Sequence, residues 1–115
     1  MLAINKYEQG AVTVLRLEGD IDEDGMNSLR LSLMDCIQAQ RCNVVVNLSE
    51  VKFVSYMGVG VLVERLRQLR TGSGDLKLTG VNLYTERLFR MIGVTNVFET
   101  FATEAQAIQA FAEAA

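Results

Sequence analysis

The sequence predicts a single α/β domain in which the chain runs β-β-α-β-α-β-α-β-α around a central mixed sheet, with helices mostly on one face. Three observations predict it. A chain of 115 residues with ordinary globular composition fits one domain able to bury its own core. Short β-branched runs alternate with stretches whose apolar residues recur every three or four positions. The punctuation between them is glycine and polar residues, with no proline anywhere.

The elements follow in order. Residues 2 to 8 and 11 to 18 read as two strands joined at Gln9-Gly10. In the second, Thr13, Leu15 and Leu17 share one face and Val12, Val14 and Arg16 the other. GDIDEDG at 19 to 25 reads as loop, its acids suited to the positive end of the coming helix. From about Asp24 to Gln40, Met26, Leu29, Leu33 and Ile37 keep helical spacing. NVVVNL at 43 to 48 is continuously apolar in its β-branched run, which predicts a strand covered on both faces. From Gly58, the stripe Val59, Leu62, Val63, Leu66 and Leu69 predicts a helix whose opposite, solvated face carries Glu64, Arg65, Arg67 and Arg70. TGSGD at 71 to 75 ends that helix, and DLKLTGV is a strand. Leu83 to Ile92 is helical, with Leu88, Met91 and Ile92 as core candidates and Gly93 as the stop. Val97 to Phe101 is a short strand, which makes the sheet one of four or five strands. Thr103 opens a last helix through a capping box with Gln106, and Ile108 and Phe111 form its apolar face.

Composition narrows the function. A formal charge of −3 and a pI near 4.9 argue against direct binding to nucleic acid or anionic lipid. Arg65, Arg67, Arg70, Arg87 and Arg90 read as solvated helix faces. No stretch approaches the roughly 20 apolar residues of a membrane span, so no membrane insertion is expected. The start MLAINKYEQG shows no secretory pattern. Cys36 and Cys42 read as two free thiols, and a cytoplasmic location follows. The chain has no histidine, which removes the commonest general base, the usual nucleophile triads and histidine metal ligands. No enzyme activity, cofactor or metal is expected.

The informative stretch is VKFVSYMGVGVL at 51 to 62, where a strand hands over to a helix. Ligands and partners gather at such strand ends. Ser55 suits the N-cap position, and Gly58 and Gly60 permit close approach of the backbone. As a dinucleotide motif, Gly58-Val59-Gly60 fails, because Val63 stands at the third glycine position. TGSGDLK precedes a strand instead of opening a helix, so it is a turn and not a phosphate loop.

Three segments carry a family likeness: LEGDID at 17 to 22, VVVNLSEVKFVSYMGVGVL at 44 to 62, and LKLTGVNLYTERLFRMIGVTNVF at 76 to 98. Together they resemble the STAS domain of bacterial anti-sigma-factor antagonists over nearly the whole chain. The resemblance implies a non-catalytic protein-interaction regulator. Its implied partner is an anti-sigma factor with a histidine-kinase-like ATPase fold, whose capture releases a sigma factor. It also implies a switch in which the kinase phosphorylates the first serine of D-S-S-G. Aligned without gaps on Phe53 and Gly58, this chain has Ser55 at the family's aspartate, Tyr56 at the acceptor serine and Met57 at the second serine. A phenol oxygen lies several ångströms farther from the backbone, outside the in-line geometry a serine kinase requires. Ser55 and Tyr56 are the candidate phosphorylation sites that remain. The partner-binding surface is expected at Val54, Ser55, Tyr56, Met57, Gly58 and Val59, with Asp20 and Asp22 from the neighbouring segment. The alternative implied by the same family is an accessory or scaffold subunit of a signalling complex or a lipid-transport ATPase.

Overall fold

The computed structural model describes residues 1–114. The element order is the expected one: β1 Ala3–Gln9, β2 Val12–Ile21, α1 Glu23–Gln38, β3 Asn43–Val54, α2 Tyr56–Thr71, β4 Asp75–Thr79, α3 Leu83–Ile92, β5 Glu99–Phe101 and α4 Glu104–Ala114. The five strands form one mixed sheet in the order β1-β2-β3-β4-β5. β1 and β2 are an antiparallel hairpin in which Gln9 opposes Val12, and the two-residue turn begins at Gly10 with φ of 59°. β2 to β5 are parallel.

Crossovers between parallel strands are nearly always right-handed. The three here each step to the next strand, so they deliver α1, α2 and α3 to one face. Leu15 and Leu17 of β2, Val44, Val46 and Leu48 of β3, and Leu76 and Leu78 of β4 meet those helices in the main core. The alternate residues Val12, Val14 and Val45 face α4, where Ala107, Ile108 and Phe111 cover them. The apolar run at 43 to 48 is therefore covered on both sides, as its composition requires.

A polar latch fastens α4 beneath the sheet. The Glu104 carboxylate accepts from Tyr7 Oη at 2.6 Å, Asn47 Nδ2 at 2.6 Å and the Arg16 guanidinium at 2.8 and 2.9 Å. The Arg16 bonds hold the Glu104 pKa down to about 2, and burial together with Glu104 raises that of Tyr7. Farther along, the buried Lys77 ammonium pairs with Asp75 and Glu99 and lies 4.7 Å from the Phe111 ring centre.

Several expectations are corrected. β2 continues through Asp20 to Ile21, because Ile21 is buried and pairs with Val54, and α1 begins at Glu23, so of GDIDEDG only Asp22 lies between strand and helix. β3 runs on to Val54, and α2 begins at Tyr56 rather than Gly58. β5 is shorter than expected, with Phe98 taken into the core and stacked on Phe89 at 5.4 Å. Arg65 is not on a solvated face: it is only 6% exposed, its stem packed and its Nη1 donating to Gln68 Oε1 at 2.6 Å. Met91 is 81% exposed, since the inner stripe of α3 runs through Thr85, Phe89 and Ile92 instead. Gly60 meets no neighbour: a Cβ there would find nothing within 4 Å. The last cap is slightly displaced from a capping box. The Gln106 N–H donates to Thr103 Oγ1, while its side-chain oxygen accepts from the N–H of Ala102.

Candidate functional site

β2, β3 and β4 run parallel, and α1, α2 and α3 each follow directly on one of them. Their N-termini therefore lie at the same end of the sheet. All three heads share one construction. The Asp22 carboxylate accepts the N–H of Gly25 at 2.9 Å, Ser55 Oγ that of Gly58 at 3.0 Å, and Asn82 Oδ1 that of Thr85 at 2.8 Å. Gly25, Gly58 and Thr85, which receive the cap, are buried. The two residues between cap and buried position point outward in each case: Glu23-Asp24, Tyr56-Met57 and Leu83-Tyr84.

The middle head is the predicted site. Tyr56 and Met57 are 69% and 67% exposed. Ser55 is half-buried, its N–H donating to the carbonyl of Ile21 at 2.9 Å and its hydroxyl occupied by the cap. A Cβ on Gly58 would lie 2.8 Å from Ile21 Cγ2, so the absent side chain lets the first turn of α2 settle onto the end of β2. Val54, Gly58 and Val59 are buried and offer no side-chain surface, which corrects their place in the expected contact set. They hold the exposed pair in position. Asp20 is exposed on the last residues of β2, and Asp22 is partly buried as the cap of α1. A shallow cavity of about 360 Å³ separates the two heads, lined by Glu23, Met26, Ser55, Tyr56 and Met57.

The electrostatics of the heads differ. Residues 18 to 24 hold five carboxylates, Glu18, Asp20, Asp22, Glu23 and Asp24, and no cation. Among the described residues none of the five forms an ion pair. The first turn of α2 carries no acid, so its helix-dipole charge is uncompensated by side chains. No group of three or more His, Cys, Asp or Glu among the described residues is placed to hold a metal ion. No described helix is long and apolar enough to cross a membrane. Both cysteines are free, and burial pushes the Cys36 thiol up.

Sequence reasoning missed Glu23, Met26, Phe53, Leu83 and Tyr84 as neighbours or extensions of this end. For Glu23, Leu83 and Tyr84 the signal is local: a cap residue, then two large or charged residues, then a small one, repeated at 22 to 25, 55 to 58 and 82 to 85.

The family model described as STAS domain matches residues 3–107. The chain belongs to the STAS domain family. A curated relative from Paenibacillus polymyxa, named anti-sigma F factor antagonist, is 25% identical over 108 residues, 93% of this STAS domain and 92% of its own length. The solved structure of the anti-sigma factor antagonist SpoIIAA in its unphosphorylated form superposes with a TM-score of 0.84 at 22% identity, covering 96% and 97% of the two chains. An anti-sigma factor antagonist from Mycobacterium paratuberculosis gives 0.85 at 20% identity, covering 96% and 93%. These likenesses between solved structures and this STAS domain are of fold.

Proposed function

We propose that this STAS domain is a non-catalytic protein-interaction regulator of the anti-sigma-factor-antagonist type, which captures an anti-sigma factor of the kinase fold and so frees a sigma factor. The observation that carries the reading is the Tyr56-Met57 pair, presented to solvent on a rigid, capped helix head beside an acidic one. Aromatic side chains and methionine are favoured in interface cores, and the cap fixes the backbone that carries this pair, so ordering on binding is confined to the side chains. The unpaired carboxylates of residues 18 to 24 suit a partner that surrounds its apolar contact with basic groups. The curated relative named as an antagonist supports the same reading.

The switch differs from the family's. Ser55 has its hydroxyl committed to the Gly58 N–H, so phosphorylating it would require the cap to open. Tyr56 leaves its phenol in solvent, where only a kinase with a deep, tyrosine-sized reach engages it. The domain therefore binds without the serine switch. The Tyr56 substitution also favours a second reading, a constitutive scaffold subunit of a signalling assembly or transporter ATPase.

Affinity capture from native lysate followed by titration against the captured protein separates the two. An anti-sigma factor that loses roughly thirtyfold in affinity to Met57→Asp or Tyr56→Ala, as for an interface hot spot, supports the first. Unchanged affinity in both variants, with normal melts, overturns it. Stable recovery in a transporter or scaffold assembly establishes the second.

A further inference from the structure

Isolated exposed apolar residues need no explanation, but a cluster of them does. Among the described residues, eight large apolar side chains are exposed: Met1, Leu31, Phe53, Tyr56, Met57, Leu83, Tyr84 and Met91. Five of the eight, Phe53, Tyr56, Met57, Leu83 and Tyr84, belong to the strand-exit end of the sheet. Phe53 lies three residues before Tyr56, next to last in β3, and its ring centre is 6.0 Å from that of Tyr84. Phe53, at the end of the strand that leads into α2, therefore meets the head of α3.

That second head is as firmly placed as the first. Asn82 caps α3 through its Oδ1 and donates from Nδ2 to the carbonyl of Val51 at 3.3 Å, which ties the helix start to β3. Leu83 is 69% exposed. Down the same outward face follow Arg87, one turn on, then Arg90 and Met91, with Glu86 alongside. Among the described residues neither Arg87 nor Arg90 forms an ion pair. The end of the sheet is thus polarised: carboxylates on the α1 head, aromatic and aliphatic side chains across α2 and Phe53, then guanidinium groups along α3.

We infer that the outward face of α3, namely Leu83, Tyr84, Arg87 and Met91 with Phe53 as its link, is a second contact for the protein that docks on the α2 head. The segment it takes is apolar at its centre and carries carboxylates where it meets Arg87 and Arg90. This rests on the α2 head being a docking surface. The opposite charges at the two ends give the partner a single orientation, because a reversed partner would set like charges against each other. The backbone under both apolar pairs is held by helix caps, so the second contact adds buried surface for the ordering of side chains alone.

The test is a titration of the full chain against the purified anti-sigma factor from the same organism. It compares wild type with Met57→Asp, Tyr84→Ala, Leu83→Asp, Arg87→Glu and Leu31→Asp. Tyr84→Ala and Leu83→Asp are each expected to weaken binding roughly tenfold or more. Arg87→Glu is expected to slow association and to reverse part of its salt dependence. Leu31→Asp, an exposed apolar residue on the flank of α1, is expected to bind as wild type. Thermal melts and sedimentation of each free variant accompany the titrations. If Met57→Asp weakens binding while Tyr84→Ala, Leu83→Asp and Arg87→Glu do not, the second contact is overturned and the proposed function stands. If none of them weakens binding, both fall. If the free chain self-associates and Leu83→Asp abolishes this without changing partner affinity, the α3 face belongs to a second copy and the inference is overturned.

Discussion

Gly58 and Gly60 stand two residues apart in one helix, yet replacing each by alanine should move stability in opposite directions. At Gly58 the new methyl would sit 2.8 Å from Ile21 Cγ2 and 3.2 Å from Ser55 Oγ. Ile21 is fully buried and β-branched, so its χ1 cannot swing aside, and Ser55 Oγ is fixed by the cap it makes. Overpacking of this kind costs about 1–3 kcal/mol. The smaller entropy of an unfolded alanine returns about 0.5–1 kcal/mol. A net loss of up to about 2.5 kcal/mol follows. At Gly60 nothing lies within 4 Å, and the residue is exposed in the helix interior, so alanine should gain about 0.5–1 kcal/mol. For a domain of this size each kcal/mol is worth about 4 °C in Tm. Thermal melts followed by circular dichroism, with urea unfolding for the free energies, should place Gly58→Ala below wild type and Gly60→Ala above it. A Gly58→Ala protein that melts at or above wild type would refute the claim that the missing side chain seats α2 on β2. The same substitution should weaken partner binding, because relief of the clash moves Ser55 and the exposed pair after it.

Other expectations concern the caps, the latch and the buried arginine. Ser55→Ala should lower stability by about 1 kcal/mol through loss of the bond to the Gly58 N–H, measured by urea unfolding, and Ser55→Asp should retain most of it. The Glu104 pKa is lowered from 4.5 to about 2 in the folded chain, so its contribution is complete above the unfolded value and is lost as pH falls from about 4.5 through about 2. Glu104→Gln should therefore be less stable at neutral pH and show a flatter acid limb over that window; parallel limbs would remove the carboxylate from the latch. Tyr7→Phe should cost about 1 kcal/mol for the bond to Glu104. Arg65 buries a guanidinium whose Nε has no partner, so Arg65→Met should be neutral or stabilising in the same assay.

The parts of the fold that periodicity controls were legible. Leu15 and Leu17 against Val12 and Val14, Met26-Leu29-Leu33, and Val59-Leu62-Leu66-Leu69 each announce a face, and each face is buried as read. What periodicity cannot show is where a face ends. Arg65 lies at the margin of the α2 stripe, and only the packed neighbour decides that its stem is buried. Met91 and Phe89 are both apolar, and it is the stacking of Phe89 on Phe98 from beyond the helix that gives Phe89 the inner place. Glycine is ambiguous for the same reason: nothing local distinguishes Gly58, pressed onto Ile21, from Gly60, which touches nothing. At the α2 head, the Ser55 cap was legible because cap chemistry is local. The pairing of Tyr84 with Phe53 was not, because that contact joins residues 31 positions apart. The latch was invisible for a stronger form of that reason, since Tyr7 and Glu104 are separated by 97 positions.

The central claim is that the exposed head of α2 captures an anti-sigma factor in place of its sigma factor. Its most direct test is release of a labelled sigma factor from a preformed complex with the anti-sigma factor, followed by fluorescence anisotropy as the chain is titrated in. The account predicts saturable release by wild type and by Gly60→Ala, and little or none by Met57→Asp at the same concentrations. Sigma factor that stays bound in the presence of excess folded wild-type chain would contradict it.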